Sequence, residues 1–232
     1  MPLYLTLLVF SVLIPFVLSF DKKVRFYRLW KSLFPSLIIV GAVYITADIL
    51  FVKYGIWGFN PEFHSNIMML GLPLEEWLFF ILIPYACIFI HYVFISYYPD
   101  LMLSGHFVKI FSAILIIILV IVIFIHSDKT YTFFNFGLLI LALVLALSGK
   151  SKILNRYFIS FLIILVPFFI VNGILTGTFI PGEVVWYDGS EITGMRLLTV
   201  PVEDIGYAFS LVLFNLLIIN KLQNLAGYKK TI

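Results

Sequence analysis

PLEEWLFFILIPYACIFIHYV at residues 73–93 and PVEDIGYAFSLVLFNLLIIN at residues 201–220 each set two adjacent carboxylates in front of a long apolar run. The two tetrapeptides, Pro73-Leu74-Glu75-Glu76 and Pro201-Val202-Glu203-Asp204, stand 128 positions apart in a chain of 232 residues with only 12 Asp and Glu. Hydrophobic residues make up 62% of the chain, charged residues 12%, and mean hydropathy is +1.11, well outside the composition of water-soluble globular domains. A membrane-crossing helix needs about 20 mostly apolar residues. On that scale seven spans are predicted, at about 3–20, 32–51, 75–97, 107–126, 131–148, 157–176 and 203–220, with no segment left over for a soluble domain.

Basic residues orient the spans. In a seven-helix arrangement Lys22, Lys23, Arg25, Arg28, Lys31, Lys109, Lys150, Lys152, Arg156, Lys221, Lys229 and Lys230 fall on one side, and only Lys53, Lys129 and Arg196 on the other. Positive loops mark the cytoplasmic face, which predicts an outside N-terminus and an inside C-terminus. Omitting the fourth span would put the basic loops 21–31 and 149–156 on opposite faces. Leu3 to Phe20 lacks the leading positive charge of a secretory signal, since Lys22 and Lys23 follow it, and it reads as a retained first helix. The net charge of +3 follows from this topology; no basic stripe interleaved with aromatics suggests nucleic acid binding. Cys87, the one cysteine, lies inside the third span and reads as a small buried hydrophobe.

The tetrapeptides belong to a longer internal similarity. Trp57 and Trp186 precede them at matching distance, Phe79 and Tyr207 each follow the second acid by three residues, and Asp48 aligns with Asn172 across one gap. The expected fold is an all-α polytopic membrane protein: a three-helix repeat over 1–105, a linking helix over 106–128, and a second repeat over 129–232. Because the linker is itself a span, both halves enter the membrane in the same direction, related by a pseudo-twofold along its normal. Both acidic pairs then lie at the outer ends of their helices. Each tetrapeptide also reads as a helix start, with Pro73 and Pro201 at the first helical position and acids in a first turn favoured by the helix dipole.

Four carboxylates, Glu75, Glu76, Glu203 and Asp204, are thereby expected in one composite chamber between the halves. The helix dipole favours the ionised form by about 0.3–1 kcal/mol, whereas burial in an apolar site opposes it by roughly 4–7 kcal/mol. A closed chamber keeps at least one acid protonated while another is ionised, which supplies a proton donor and an acceptor together. Trp57, Trp77, Phe79, Phe80, Trp186, Tyr187, Tyr207 and Phe209 offer π-faces that stabilise a cation without reacting as nucleophiles. Acid with an aromatic wall suits carbocation chemistry on a hydrocarbon. Asp48 and Asn172 are read as polar groups that orient the acids or substrate. His91 lies about 22 Å along its helix from Glu76 at about 1.5 Å per residue, and the remaining histidines, His64, His106 and His126, lack metal-ligand spacing; no metal is expected. Lys53 and Arg196 share the acids' side of the membrane, and the sequence leaves open whether either pairs with one.

A doubled Pro-x-Glu-Glu/Asp opening a helix, with PLEEWLFF in one half and PVEDIGYAF in the other, resembles the integral-membrane lycopene cyclases of bacteria, archaea and fungi, in the form that fuses both halves in one chain. The resemblance covers essentially the whole length. It implies cyclisation of the linear ends of lycopene to β-ionone rings, giving β-carotene, with the family's acidic motif carried onto Pro73, Glu75, Glu76, Pro201, Glu203 and Asp204. It also implies a lipophilic carotenoid substrate in the bilayer, a bacterial cytoplasmic membrane location and possible contact with other carotenoid enzymes. β, ε and γ outcomes differ in which proton is lost. The reaction is redox-neutral, and no glycine-rich dinucleotide fingerprint is present, so no essential bound flavin is expected; a loosely associated reductant is left open.

The principal rival is a small tandem-repeat transporter of the SWEET-like layout, which should place hydrogen-bonding residues at mid-membrane on several helices. Here polarity gathers at the outer rim. A retinal protein is disfavoured because the last span has no central lysine, with Lys221 at its end. A diphosphate-using prenyltransferase needs an aspartate-rich metal site, and an intramembrane protease would want basic and histidine partners for its Glu-Glu pair.

Overall fold

Seven helices account for most of the described chain, residues 1–149 and 152–225 of a computed structural model. They are α1 (Leu3–Leu18), α2 (Trp30–Lys53), α3 (Leu74–Tyr97), α4 (Gly105–Ile125), α5 (Thr130–Ser148), α6 (Ile153–Leu175) and α7 (Val202–Leu225), with a 3-10 turn at Phe26–Leu29. Lys150, Lys229 and Lys230 lie outside the described residues. Helices α2 to α7 are long and apolar enough to cross a membrane. Helix α1, at 16 residues, is about 24 Å long at about 1.5 Å per residue, shorter than the roughly 30 Å hydrocarbon layer.

Helices α3 and α7 stand at the centre. α3 contacts α1, α2 and α6, α7 contacts α5, α2 and α6, and the two touch each other. α4 rests on α5 and α6 and buries only Val108, Ser112 and Leu119, so most of its apolar surface is left for lipid. One core cluster, including Leu33, Leu37, Ile88, Leu143, Tyr157, Leu213 and Leu216, fills the space between the helices away from the acidic ends. A second, around Tyr4, Leu8, Phe51, Trp57, Tyr131, Leu175 and Val185, surrounds the acidic ends.

The strands were not expected from the sequence. β1 (Trp57–Phe59) follows α2 and β4 (Val185–Tyr187) follows α6; they pair antiparallel, Trp57 opposite Tyr187, Gly58 opposite Trp186 and Phe59 opposite Val185. Two further hairpins precede the acidic helices: β2 (Met68–Met69) with β3 (Leu72–Pro73), and β5 (Arg196–Leu197) with β6 (Val200–Pro201). The turn between β2 and β3 has Leu70 and Gly71 at φ 52° and 86°, the twist that matches a two-residue hairpin. These hairpins move the prolines. Pro73 has extended backbone at φ −66° and ψ 152° and caps α3 from outside, while Pro201 ends β6 directly before α7. Both stand one position ahead of the first helical residue, Leu74 or Val202, instead of occupying that position as expected, because each completes a strand pair.

Candidate active site

Adjacent residues on a helix point about 100° apart, and this divides each acidic pair. Glu76 and Asp204, the second acids, turn inward and line a cavity between the central helices. Tyr4 of α1 donates its hydroxyl to Glu76 Oε2 at 2.5 Å. Tyr131, in the corresponding place on α5, donates to Asp204 Oδ1 at 2.8 Å, and Tyr187 of β4 donates to Asp204 Oδ2 at 2.8 Å. Burial, then the neighbouring Asp204 carboxylate, holds the Tyr187 phenol well above its usual range, which keeps it a donor. Asp48, from α2, borders the same cavity and accepts the Tyr207 hydroxyl on Oδ2 at 3.1 Å.

Glu75 and Glu203, the first acids, turn toward the loops ahead of their helices. Ser65 donates its backbone N–H to Glu75 Oε1 at 2.7 Å and its hydroxyl to Oε2 at 3.1 Å. Thr193 donates its backbone N–H to Glu203 Oε1 at 2.6 Å, where Thr132 adds its hydroxyl at 2.7 Å. Neither acid lines the cavity. The expected chamber of Glu75, Glu76, Glu203 and Asp204 is therefore replaced by a different set, Asp48, Glu76 and Asp204, with the outer two acids fastening loops.

Around the carboxyls the wall is Trp57, Phe79, Tyr131, Tyr187 and Tyr207, with Asn172 from α6. Trp186 is not part of it. Its distance to Pro201 is one residue shorter than that from Trp57 to Pro73, and in a strand a one-residue shift turns a side chain to the opposite face. Trp57 is thus 6% exposed and faces in, whereas Trp186 is 37% exposed and lies across Gly58, where an added Cβ would come within 2.6 Å of its ring. Tyr187 occupies the inward position instead. Phe80 is also displaced from the wall: it is buried behind Tyr207, ring centroids 6.4 Å apart, in a cluster with Val40, Tyr44 and Leu211. Asn172 faces the cavity, with its amide bonded to Phe168 O at 3.3 Å.

The cavity spans about 1090 Å³ when the space open at its mouth is included. Away from the acids it is lined by Pro15, Pro84 and Pro167, each inside a helix, and by Cys87 and Ile90. Among the described residues no Lys, Arg or His lines it. His91 is buried elsewhere with Nδ1 2.7 Å from Ser160 Oγ, and among the described residues no group of three His, Cys, Asp or Glu is placed to hold a metal. Arg196 lies 5.6 Å from the Tyr187 ring and donates to Thr199 O at 2.6 Å; Lys53 lies 5.9 Å from the Tyr54 ring. Tyr4 and Tyr131 were missed by sequence reasoning, although they precede Glu76 and Asp204 by 72 and 73 residues, a doubling as regular as that of the acids.

This is a buried acid and phenol site at the end of an oily, aromatic-walled chamber in an integral membrane protein, suited to moving protons on a hydrocarbon. The family model for lycopene cyclase matches residues 1–94 and 128–222, and the chain belongs to that family. Membership makes it a carotenoid-cyclising enzyme with a lipophilic carotenoid substrate. No curated protein and no solved structure matches it.

Proposed function

We propose that the protein is a lycopene cyclase that closes the linear ends of lycopene into β-ionone rings with no net oxidation or reduction. The observation that carries this reading is the meeting of Asp48, Glu76 and Asp204 at one end of an apolar cavity walled by Trp57, Phe79, Tyr187 and Tyr207. A protonated carboxyl adds H⁺ to the terminal double bond, the neighbouring double bond attacks the tertiary cation to form the ring bond, and a carboxylate removes a ring proton. Such acid–base steps contribute about 10²–10⁴-fold each. The aromatic faces stabilise the intermediate cations, and the β1–β4 strap limits water that would capture them. From Glu76 to Ile90 the chamber follows α3 for about 21 Å at about 1.5 Å per residue, room for the polyene behind the reacting end. Removal of the proton that leaves the double bond between the two substituted ring carbons gives the β ring.

In this reading Glu75 and Glu203 position the helix entrances, and Pro73 and Pro201 end the hairpins. Residues 1–105 and 129–232 form two parallel repeats joined by a linking span over 106–128. Helix α1 completes seven spans, and the N-terminus lies outside a bacterial cytoplasmic membrane. Two features support this: the basic residues divide by side, and the pairs Tyr4–Glu76 and Tyr131–Asp204 sit in matched places. Expression in a lycopene-accumulating bacterium tests the activity. Red cells should turn orange, with chromatography showing two-ring or one-ring β products; lycopene left unchanged beside membrane-inserted protein would end the reading.

A further inference from the structure

Two buried carboxyl oxygens have no hydrogen-bond partner among the described residues, Asp48 Oδ1 and Glu203 Oε2. Only Asp48 borders the cavity. An ionised carboxylate with a bare buried oxygen is unfavourable, and among the described residues no basic side chain lines this chamber to offset it. As a neutral acid the same group becomes an O–H donor, with Oδ2 held by the Tyr207 hydroxyl and Oδ1 left for whatever fills the space. Asp204 is the opposite case: each of its oxygens accepts a phenol hydroxyl at 2.8 Å, an arrangement that favours the anion. Glu76 stands between them with one phenol on one oxygen. Across the cavity α6 presents Asn172, an amide that has no proton to give to carbon.

We propose that Asp48, which lies outside both tetrapeptides, is the acid that protonates the terminal double bond, and that Asp204 is the base that takes the ring proton. The assignment rests on the cyclase reading. The Asp48 O–H bond breaks and a C–H bond forms at the CH carbon of the terminal double bond; the tertiary cation left on the dimethyl carbon is captured by the next double bond, forming the ring C–C bond. Asp204 then takes a proton from the ring carbon beside the second cation, and that C–H pair becomes the ring double bond. One proton has passed from Asp48 to Asp204, and its return resets the site with no net change in protons or electrons.

Dicyclohexylcarbodiimide, an apolar reagent that reacts with protonated carboxyls, tests this in the intact wild-type protein in membranes. Mass spectrometry of the peptides should find an adduct on Asp48 that lycopene suppresses. Asp48→Asn should retain lycopene with a KM within about threefold of wild type while kcat falls at least about 100-fold, and Asp48→Glu should recover part of that loss. Absence of a lycopene-suppressed adduct on Asp48, or wild-type turnover in Asp48→Asn, overturns the assignment. Should Asp48→Asn fail to accumulate, the wild-type labelling decides. Failure of the wild type to convert lycopene overturns the cyclase reading instead, and labelling without lycopene then still decides whether Asp48 carries a proton.

Discussion

Glu75 and Glu76 differ by one position in the chain and by everything around their side chains. Glu75 accepts two hydrogen bonds from Ser65 at the loop, and Glu76 faces the cavity with Tyr4; Glu203 and Asp204 divide in the same way. The four amide variants should therefore separate into two classes. Glu75→Gln and Glu203→Gln weaken charge-assisted bonds and should lower stability by about 1–3 kcal/mol, with turnover per folded molecule held within tenfold. Glu76→Gln and Asp204→Asn should keep thermal stability and lose about 10²–10⁴-fold in turnover. Melting curves alongside normalised lycopene conversion distinguish them, and equal kinetic losses in all four would restore a four-acid chamber. The doubled acids were legible in the sequence; which member of each pair faces inward was not, because it depends on where each helix begins relative to its hairpin.

The α5–α7 crossing brings Tyr131 to Asp204, and it is close because Gly206 lets it be. A Cβ there would lie 3.3 Å from Phe136 Cδ1 and 3.4 Å from Leu139 Cδ2, which marks a small-residue contact of the kind that draws membrane helices together. Gly206→Val should overpack the crossing by about 1–3 kcal/mol and also lower turnover, since it lengthens the Tyr131–Asp204 hydrogen bond. Thermal inactivation in detergent and conversion assays on the same preparation check this; a Gly206→Val protein as stable and active as wild type would show that the approach of α5 to α7 does not matter. Helix existence and extent followed from apolar length. The strands did not, because two-residue hairpins and a three-residue strap carry almost no periodic signal, and the one-residue offset between Trp57 and Trp186 acquires meaning only once both lie on paired strands.

Across the molecule, the acidic ends of α3 and α7 meet under a strap built from both halves, while most of the described basic residues, among them Lys22, Lys23, Arg25, Arg28, Lys31 and Arg156, belong to the opposite ends. This distribution predicts the orientation of the whole bundle. In a Cys87→Ser background, Asp188→Cys should react with a membrane-impermeant maleimide in intact cells, and Ser104→Cys only after permeabilisation. The reverse pattern would invert the topology and place the carboxyls on the cytoplasmic side.

The sequence alone carries the membrane class, the helix content, the doubled acidic motif and the resemblance to lycopene cyclases, because apolar run length and charge placement are properties of composition along the chain. Which carboxyls share a chamber required the folded chain. Asp48, Glu76 and Asp204 come from three helices separated by up to 156 positions, and Tyr4, Tyr131, Tyr187 and Tyr207 reach them from four different elements. Only the packed chain sets those distances, and with them which carboxyl oxygens accept a phenol and which stay bare.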